Sequence, residues 1–385
     1  MNMNLKIPAG LLRATRLVRA GKLMEATAAI QRALKRGAPL SAAPSNHADA
    51  AVIEGTFRAV DADLLPFAQQ REAVNDLNFG ATAPAAEKGG RFITGSFTNR
   101  AGTRLYKTYI PALYHGQALP LVVMLHGCKQ GPDDFAAGTR MNVLSEEHGF
   151  VVVYPAQARE ANASNCWNWF QAGDQRRDEG EPSLIAGITR EVVASYGLDA
   201  RRIYVAGLSA GGAMAVILGT TYPDLFAAIG IHSGLAYAAA GDLPSAFAAM
   251  RGEGRPRGGK RASRGDLSHR AVPTIVFHGD RDTTVHPSNG ERVIAQSAMP
   301  AAGAKSSSTP YRATVENGRA GGRKYTRTTH RDNAGKPIME HWVVHGAGHA
   351  WSGGSTNGSY TDARGPDASR EMLRFFLQYP EPPAP

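Results

Sequence analysis

One serine in this chain stands where a hydroxyl can be made to attack. Ile203-Tyr204-Val205-Ala206 is a short apolar run of β type. Gly207-Leu208-Ser209-Ala210-Gly211-Gly212 follows it, and then a helical run from Ala213 to Thr221. This is G-x-S-x-G between a strand and a helix, the setting in which a tight turn lifts a serine oxygen above a sheet. Small residues are needed on both sides because the turn is cramped. The helix N-terminus beneath the serine offers backbone N–H groups and a positive dipole end to developing negative charge. The chemistry such a serine performs is acyl transfer.

A serine hydroxyl needs a base, and the base needs an acid to fix its tautomer. For a nucleophile of this type the chain order is Ser, then Asp or Glu, then His. The run Pro273 to Phe277 reads as a strand, and His278-Gly279-Asp280-Arg281-Asp282-Thr283-Thr284-Val285 forms the loop beyond it. Two aspartates compete there. Asp280 falls where an Asx turn often uses the side chain for itself. Asp282 sits further into the loop, able to reach an imidazole, and is preferred partly on the resemblance given below. Five histidines follow: His286, His330, His341, His345 and His349. His286 shares the acid's loop, His330 lies in a basic run, and His341 and His345 belong to the strand Glu340 to Val344 or its end. His349 lies in a glycine-rich loop after that strand, where the base belongs.

The tetrahedral intermediate of acyl transfer requires preformed donors for its oxyanion. The N–H of Ala210, next after the nucleophile, is one candidate. The other belongs to a loop after an earlier strand. Leu121 to Leu125 runs into His126-Gly127-Cys128-Lys129-Gln130, so the N–H of Cys128 is the second candidate. No metal or organic cofactor is needed. Trp167 and Trp351 lie in loops near this site and are candidate substrate contacts, since an aromatic ring gives an ester chain broad apolar contact.

These residues must be held by a scaffold. Near-continuous apolar runs occur at Leu121 to Leu125, Phe150 to Tyr154, Ile203 to Ala206, Ala227 to Ile231 and Thr274 to Phe277, with helical stretches between. Continuous apolar strands are buried on both faces, and alternation with helices implies a mainly parallel sheet covered on both sides. Reactive groups are expected beyond the carboxyl ends of its strands. The expected organisation is an N-terminal helix within residues 1–40, a poorly ordered Ala/Pro/Ser/Gly-rich linker over 41–90, and an α/β catalytic domain over 91–380. A C-terminal helix is read at Asp367 to Leu377.

The chain of 385 residues carries a formal net charge of +10. Much of the excess sits at Arg251 to Arg264 and Arg319 to Arg331, both read as flexible. Neither accompanies a recognition-helix or zinc-finger pattern, so a nucleic-acid partner is not expected. The two cysteines, Cys128 and Cys166, are one disulfide or two free thiols. No stretch is apolar for long enough to span a membrane. The N-terminus lacks the uninterrupted apolar core and small-residue cleavage site of a signal peptide.

The set HGCKQ (His126 to Gln130), CWNWF (Cys166 to Phe170), GLSAGGAM (Gly207 to Met214), HGDRDTTV (His278 to Val285) and GAGHAWSGG (Gly346 to Gly354), in this order, resembles the poly(3-hydroxybutyrate) depolymerase family of esterases. The likeness covers roughly Gly90 to Tyr379. It implies an α/β-hydrolase fold and hydrolysis of short-chain polyhydroxyalkanoate esters. Feruloyl and acetyl-xylan ester hydrolysis is the alternative, since the family's relatives include such esterases. It also implies Ser209, Asp282 and His349 as a triad, Cys128 at the oxyanion site, pairing of Cys128 with Cys166, and an extracellular location. A peptidase or a non-catalytic binding protein on the same scaffold are the remaining readings.

Overall fold

The computed structural model describes residues 89–253, 272–299 and 311–380, all within one unit of the chain, Ala81–Pro385. The helix expected near Leu11 to Leu34, all but the last two residues of the expected linker, and the basic run beyond Glu253 lie outside the described residues.

Ten strands form one sheet: β1 Arg91–Asn99, β2 Gly102–Ile110, β3 Leu121–Leu125, β4 Val151–Pro155, β5 Ile203–Leu208, β6 Ala228–His232, β7 Thr274–Gly279, β8 Arg312–Ala320, β9 Arg323–Arg331 and β10 Pro337–Val344, in the order β1-β2-β4-β3-β5-β6-β7-β10-β9-β8. The strands β4, β3, β5, β6, β7 and β10 run parallel. An antiparallel hairpin closes each edge. A separate two-stranded piece joins β11 Trp351–Ser352 to β12 Thr361–Asp362. The helices are α1 Pro132–Thr139, α2 Met141–His148, α3 Gly180–Ser195, α4 Ala210–Thr221, α5 Leu243–Met250, α6 Ser288–Ser297 and α7 Ala368–Phe376. No described helix is long and apolar enough to cross a membrane.

Every residue of β3 to β7 is buried, which is why these strands read as unbroken apolar runs. Neighbouring residues of β6 locate the layers. A side chain at Gly219 of α4 would strike Ile229, while one at Gly230 would strike Met372 and Phe376 of α7. Successive strand residues point to opposite faces, so α4 and α7 cover opposite sides of the sheet. The chain moves outward from β3 to β4 in one direction and from β5 through β7 in the other. The carboxyl ends of β3 and β5 therefore flank the point where the order reverses, which is where parallel sheets leave a crevice.

The basic run Arg319 to Arg331, expected to be flexible, instead forms the tip of β8 and all of β9. Gly321 and Gly322, at φ 54° and 90°, supply the tight turn that joins the two strands. Its Thr and Tyr content favours strand. Its edge position leaves both faces of β8 in solvent, and so removes the alternation that would have revealed it.

Candidate active site

Ser209 occupies the turn between β5 and α4 with φ 56° and ψ −117°, a conformation that L-residues seldom adopt and that costs about 1–3 kcal/mol. Its N–H donates to His232 O at 2.8 Å. The glycines on either side are dictated by contact. A Cβ at Gly207 would lie 2.4 Å from the carbonyl of Gly211, and one at Gly211 would lie 2.1 Å from Leu125 O. The second contact presses the start of α4 onto the end of β3, and so brings the loop His126–Gly127–Cys128 beside the serine turn. The N–H groups of Cys128 and Ala210 donate to no other described group.

The expected acid and base follow neighbouring parallel strands, β7 and β10. Asp282 Oδ2 accepts the Nδ1–H of His349 at 2.7 Å. Asp282 Oδ1 accepts the backbone N–H groups of Thr284 and Val285, each at 2.9 Å. Burial opposes ionisation of this carboxyl, but hydrogen bonds from His278 and His349 outweigh it and hold the pKa far below the usual range. Among the described residues, neither Ser209 Oγ nor His349 Nε2 forms a hydrogen bond. The serine hydroxyl and the imidazole are therefore not hydrogen-bonded to each other; a serine–histidine hydrogen bond in an unliganded site is commonly long and tightens only when substrate binds.

Cys128 and Cys166 form a disulfide across 38 residues. It ties the loop after β3 to the segment Cys166–Phe170, and a buried polar hub holds that segment. Glu181 accepts from Asn168 N at 2.7 Å, Asn168 Nδ2 at 2.8 Å and Gln157 Nε2 at 2.5 Å, and it pairs with Arg104 at 3.3 Å. Burial, reinforced by the charge of Asp174, raises the Glu181 pKa. Gln157 in turn donates its N–H to His126 Nε2 at 3.1 Å, while His126 Nδ1 donates to Gly127 O at 2.9 Å. Gln130 completes the turn by accepting from Gly127 N at 3.0 Å.

Trp167 and Trp351, expected to contact substrate, are buried. Trp167 leans on the His126 ring at 5.5 Å. Trp351 stacks on His232 at 5.2 Å and donates to Ser369 Oγ at 3.0 Å. Their rings fill the space behind the loops and present no surface to a ligand, so they support the site rather than line it. Asp280 does not approach His349. It bonds His345 instead, at 2.9 Å.

The sequence reading missed two buried histidines. His278 Nε2 donates to Val285 O at 2.9 Å and stands 3.4 Å from Asp282 Oδ2. His232 carries the carbonyl that receives Ser209 N–H. Its pKa falls to about 3, chiefly through burial and then through repulsion from His278 and His349. His278 opens the loop already singled out for Asp282, so its place was visible in that motif. Nothing in the sequence marked His232. Among the described residues, no group of three or more His, Cys, Asp or Glu is placed to hold a metal ion.

The family model described as esterase PHB depolymerase matches residues 105–314, a stretch containing Cys128, Cys166, Ser209 and Asp282. Poly(3-hydroxyalkanoate) depolymerase C of Paucimonas lemoignei is 35% identical over 204 residues, covering 52% of this chain and 49% of that protein. This chain thus spans about half the length of that relative. Feruloyl esterase B of Neurospora crassa is 29% identical over 206 residues, covering 51% of this chain and 69% of that protein. Among solved structures, an acetyl xylan esterase from Aspergillus awamori superposes with a TM-score of 0.55 at 19% identity, covering 75% of this chain and 99% of that one. That likeness is one of fold.

Proposed function

The chain belongs to the esterase PHB depolymerase family, and from that premise we propose that it hydrolyses short-chain polyhydroxyalkanoate esters through an acyl-enzyme on Ser209. The observation that carries the catalytic reading is the Asp282–His349 hydrogen bond, taken together with a strained serine turn and two undirected N–H groups, those of Cys128 and Ala210. His349 Nε2 takes the proton of Ser209 Oγ as the oxygen attacks the ester carbonyl carbon. The tetrahedral oxyanion is received by the N–H groups of Cys128 and Ala210. The C–O bond to the alcohol then breaks, and His349 returns the proton to the departing oxygen. Water, deprotonated by His349, attacks the acyl-enzyme; the bond between the acyl carbon and Ser209 Oγ breaks, His349 returns the proton to Oγ, and the acid is released. Asp282 keeps Nδ1 protonated and stabilises the imidazolium in both halves.

The depolymerase relative at 35% identity supports the polyhydroxyalkanoate substrate. The feruloyl esterase relative at 29% identity supports the second reading, hydrolysis of plant cell-wall esters. The proposed setting is extracellular, supported by the Cys128–Cys166 bond, because such bonds persist in oxidising compartments.

A panel of hydroxybutyrate oligomers, p-nitrophenyl esters of graded length and methyl ferulate, offered to wild type and Ser209→Ala, tests the proposal. It predicts turnover of the oligomers by wild type alone. Equal turnover by both proteins removes Ser209 from the mechanism. A preference for methyl ferulate replaces the first substrate class with the second.

A further inference from the structure

Two Asp–His pairs span the same two loops, and the mechanism above uses only one. The second pair stands two residues earlier on the loop after β7 and four residues earlier on the loop after β10. Asp280 Oδ2 accepts the Nδ1–H of His345 at 2.9 Å, and Asp280 Oδ1 accepts the N–H of Gly346 at 2.7 Å. Backbone bonds flank these contacts, from Asp280 N to Val344 O at 3.2 Å and from Arg281 N to Ala347 O at 2.9 Å. The loops also touch at Gly279, where a Cβ would lie 2.4 Å from Ala347 O.

The pair is anchored on its far side. His345 Nε2 lies 2.9 Å from Thr326 Oγ1, and that hydroxyl donates to Asn317 Oδ1 at 2.7 Å. His345 N–H donates to Lys324 O at 2.9 Å, and Arg323 Nη1 reaches His345 O at 3.5 Å. A continuous run of bonds therefore crosses from β8 and β9 through His345 into Asp280. It fixes the segment Gly346–Gly348 from which His349 projects.

We propose that Asp280 and His345 are a positioning pair that sets where the His349 imidazole stands relative to Ser209. The inference rests on the reading of Ser209 and His349 as nucleophile and base. The side chains of Asp280 and His345 are 35% and 40% exposed, and side-chain contacts so open to solvent contribute little to stability. Catalysis is far less forgiving, because a misplacement of about 1 Å can cost on the order of 100-fold in rate. The pair therefore affects turnover much more than folding.

The test measures kcat and KM for p-nitrophenyl butyrate in wild type, Asp280→Ala, Asp280→Asn, His345→Gln and the double variant Asp280→Ala/His345→Gln. Each kcat is divided by the number of sites titrated with diisopropyl fluorophosphate, which removes any unfolded fraction. The expected result for Asp280→Ala is a loss of about tenfold in kcat per titrated site, with KM nearly unchanged. Asp280→Asn keeps an acceptor for Gly346 N–H and should lose less. The double variant should be no worse than the poorer single variant, because both changes break one connection. Unchanged kcat per titrated site in Asp280→Ala overturns the proposal, as does full additivity in the double variant. Failure of wild type to be labelled at Ser209 overturns the underlying reading and the proposal with it.

Discussion

His278 Nε2 lies 3.4 Å from Asp282 Oδ2, the same oxygen that His349 Nδ1 reaches at 2.7 Å. One buried carboxylate oxygen thus faces two imidazoles, and two backbone N–H groups hold its other oxygen. These contacts outweigh burial and hold the carboxyl well below the usual carboxylate range. Asp282→Asn cannot accept from His349 in the same way without presenting an amide donor to one of the rings. The expected loss is about 10⁴-fold in kcat with the fold retained, read from steady-state turnover of p-nitrophenyl butyrate. A loss below about tenfold would point to a different acid.

Acid should weaken the fold through its buried imidazoles. Burial, first among the causes, lowers the pKa of His126 from 6.5 to about 4, that of His341 to about 4 and that of His232 to about 3. In the folded state these rings stay neutral below pH 6.5, whereas in the unfolded chain they take up protons. The unfolded state therefore binds more protons between pH 6.5 and the folded values, and stability falls as pH falls. Each ring withdraws about 1.4 kcal/mol per pH unit in that window. Glu181 and Asp174, whose pKa values burial raises, act in the opposite sense. Urea midpoints at pH 7, 6 and 5 should decline with the steepest drop below pH 6. A flat profile would mean that these rings are solvated.

The serine turn should not tolerate a methyl group. At Gly211 the added methyl carbon would meet the Leu125 backbone carbonyl at 2.1 Å, with no flexible side chain to yield. Gly211→Ala should lose at least about 3 kcal/mol or fail to fold. Gly173→Ala, with nothing within 4 Å, is the control and should stay within about 0.5 kcal/mol of wild type. Urea denaturation of both variants checks the contrast. Equal stabilities would show that the close approach of α4 to β3 is absent.

Reduction of the Cys128–Cys166 bond should act on both stability and rate. For a bridge across 38 residues the chain-entropy estimate is roughly 4 kcal/mol. Cys128 also heads the proposed oxyanion loop, so Cys166→Ser should lower kcat per titrated site as well as the urea midpoint. A midpoint drop with unchanged kcat would mean that the loop is held by Gln130 and His126 alone.

The parallel core was legible because burial on both faces writes itself as apolar runs. The expected strand Leu121 to Leu125 matches β3 residue for residue, and β4 to β7 differ from expectation by one or two residues at their ends. Helix α4 begins at Ala210, earlier than the expected Ala213: Gly211 and Gly212 are poor helix formers by themselves, but Gly211 is packed against Leu125 of β3 and Gly212 against Gly207 and His232. Ser209 and His349 were singled out from spacing and strand ends, and Asp282 partly from the family resemblance; the structure brings Asp282 to His349. The roles of Trp167, Trp351 and His232 were not, since a ring's exposure depends on tertiary stacking that a single sequence does not encode. The hub around Glu181 was hidden for the same reason. A lone acidic residue at a helix start reads as a surface charge until Arg104, Gln157 and Asn168 are brought around it.

The most direct test of the central claim is peptide mapping after treatment with diisopropyl fluorophosphate, in wild type and in His349→Ala. The account predicts one phosphoryl adduct per chain, on Ser209, with esterase activity lost in step, and negligible labelling when His349 is replaced. An adduct on another residue, full activity in the Ser209-labelled protein, or undiminished labelling of His349→Ala would contradict it.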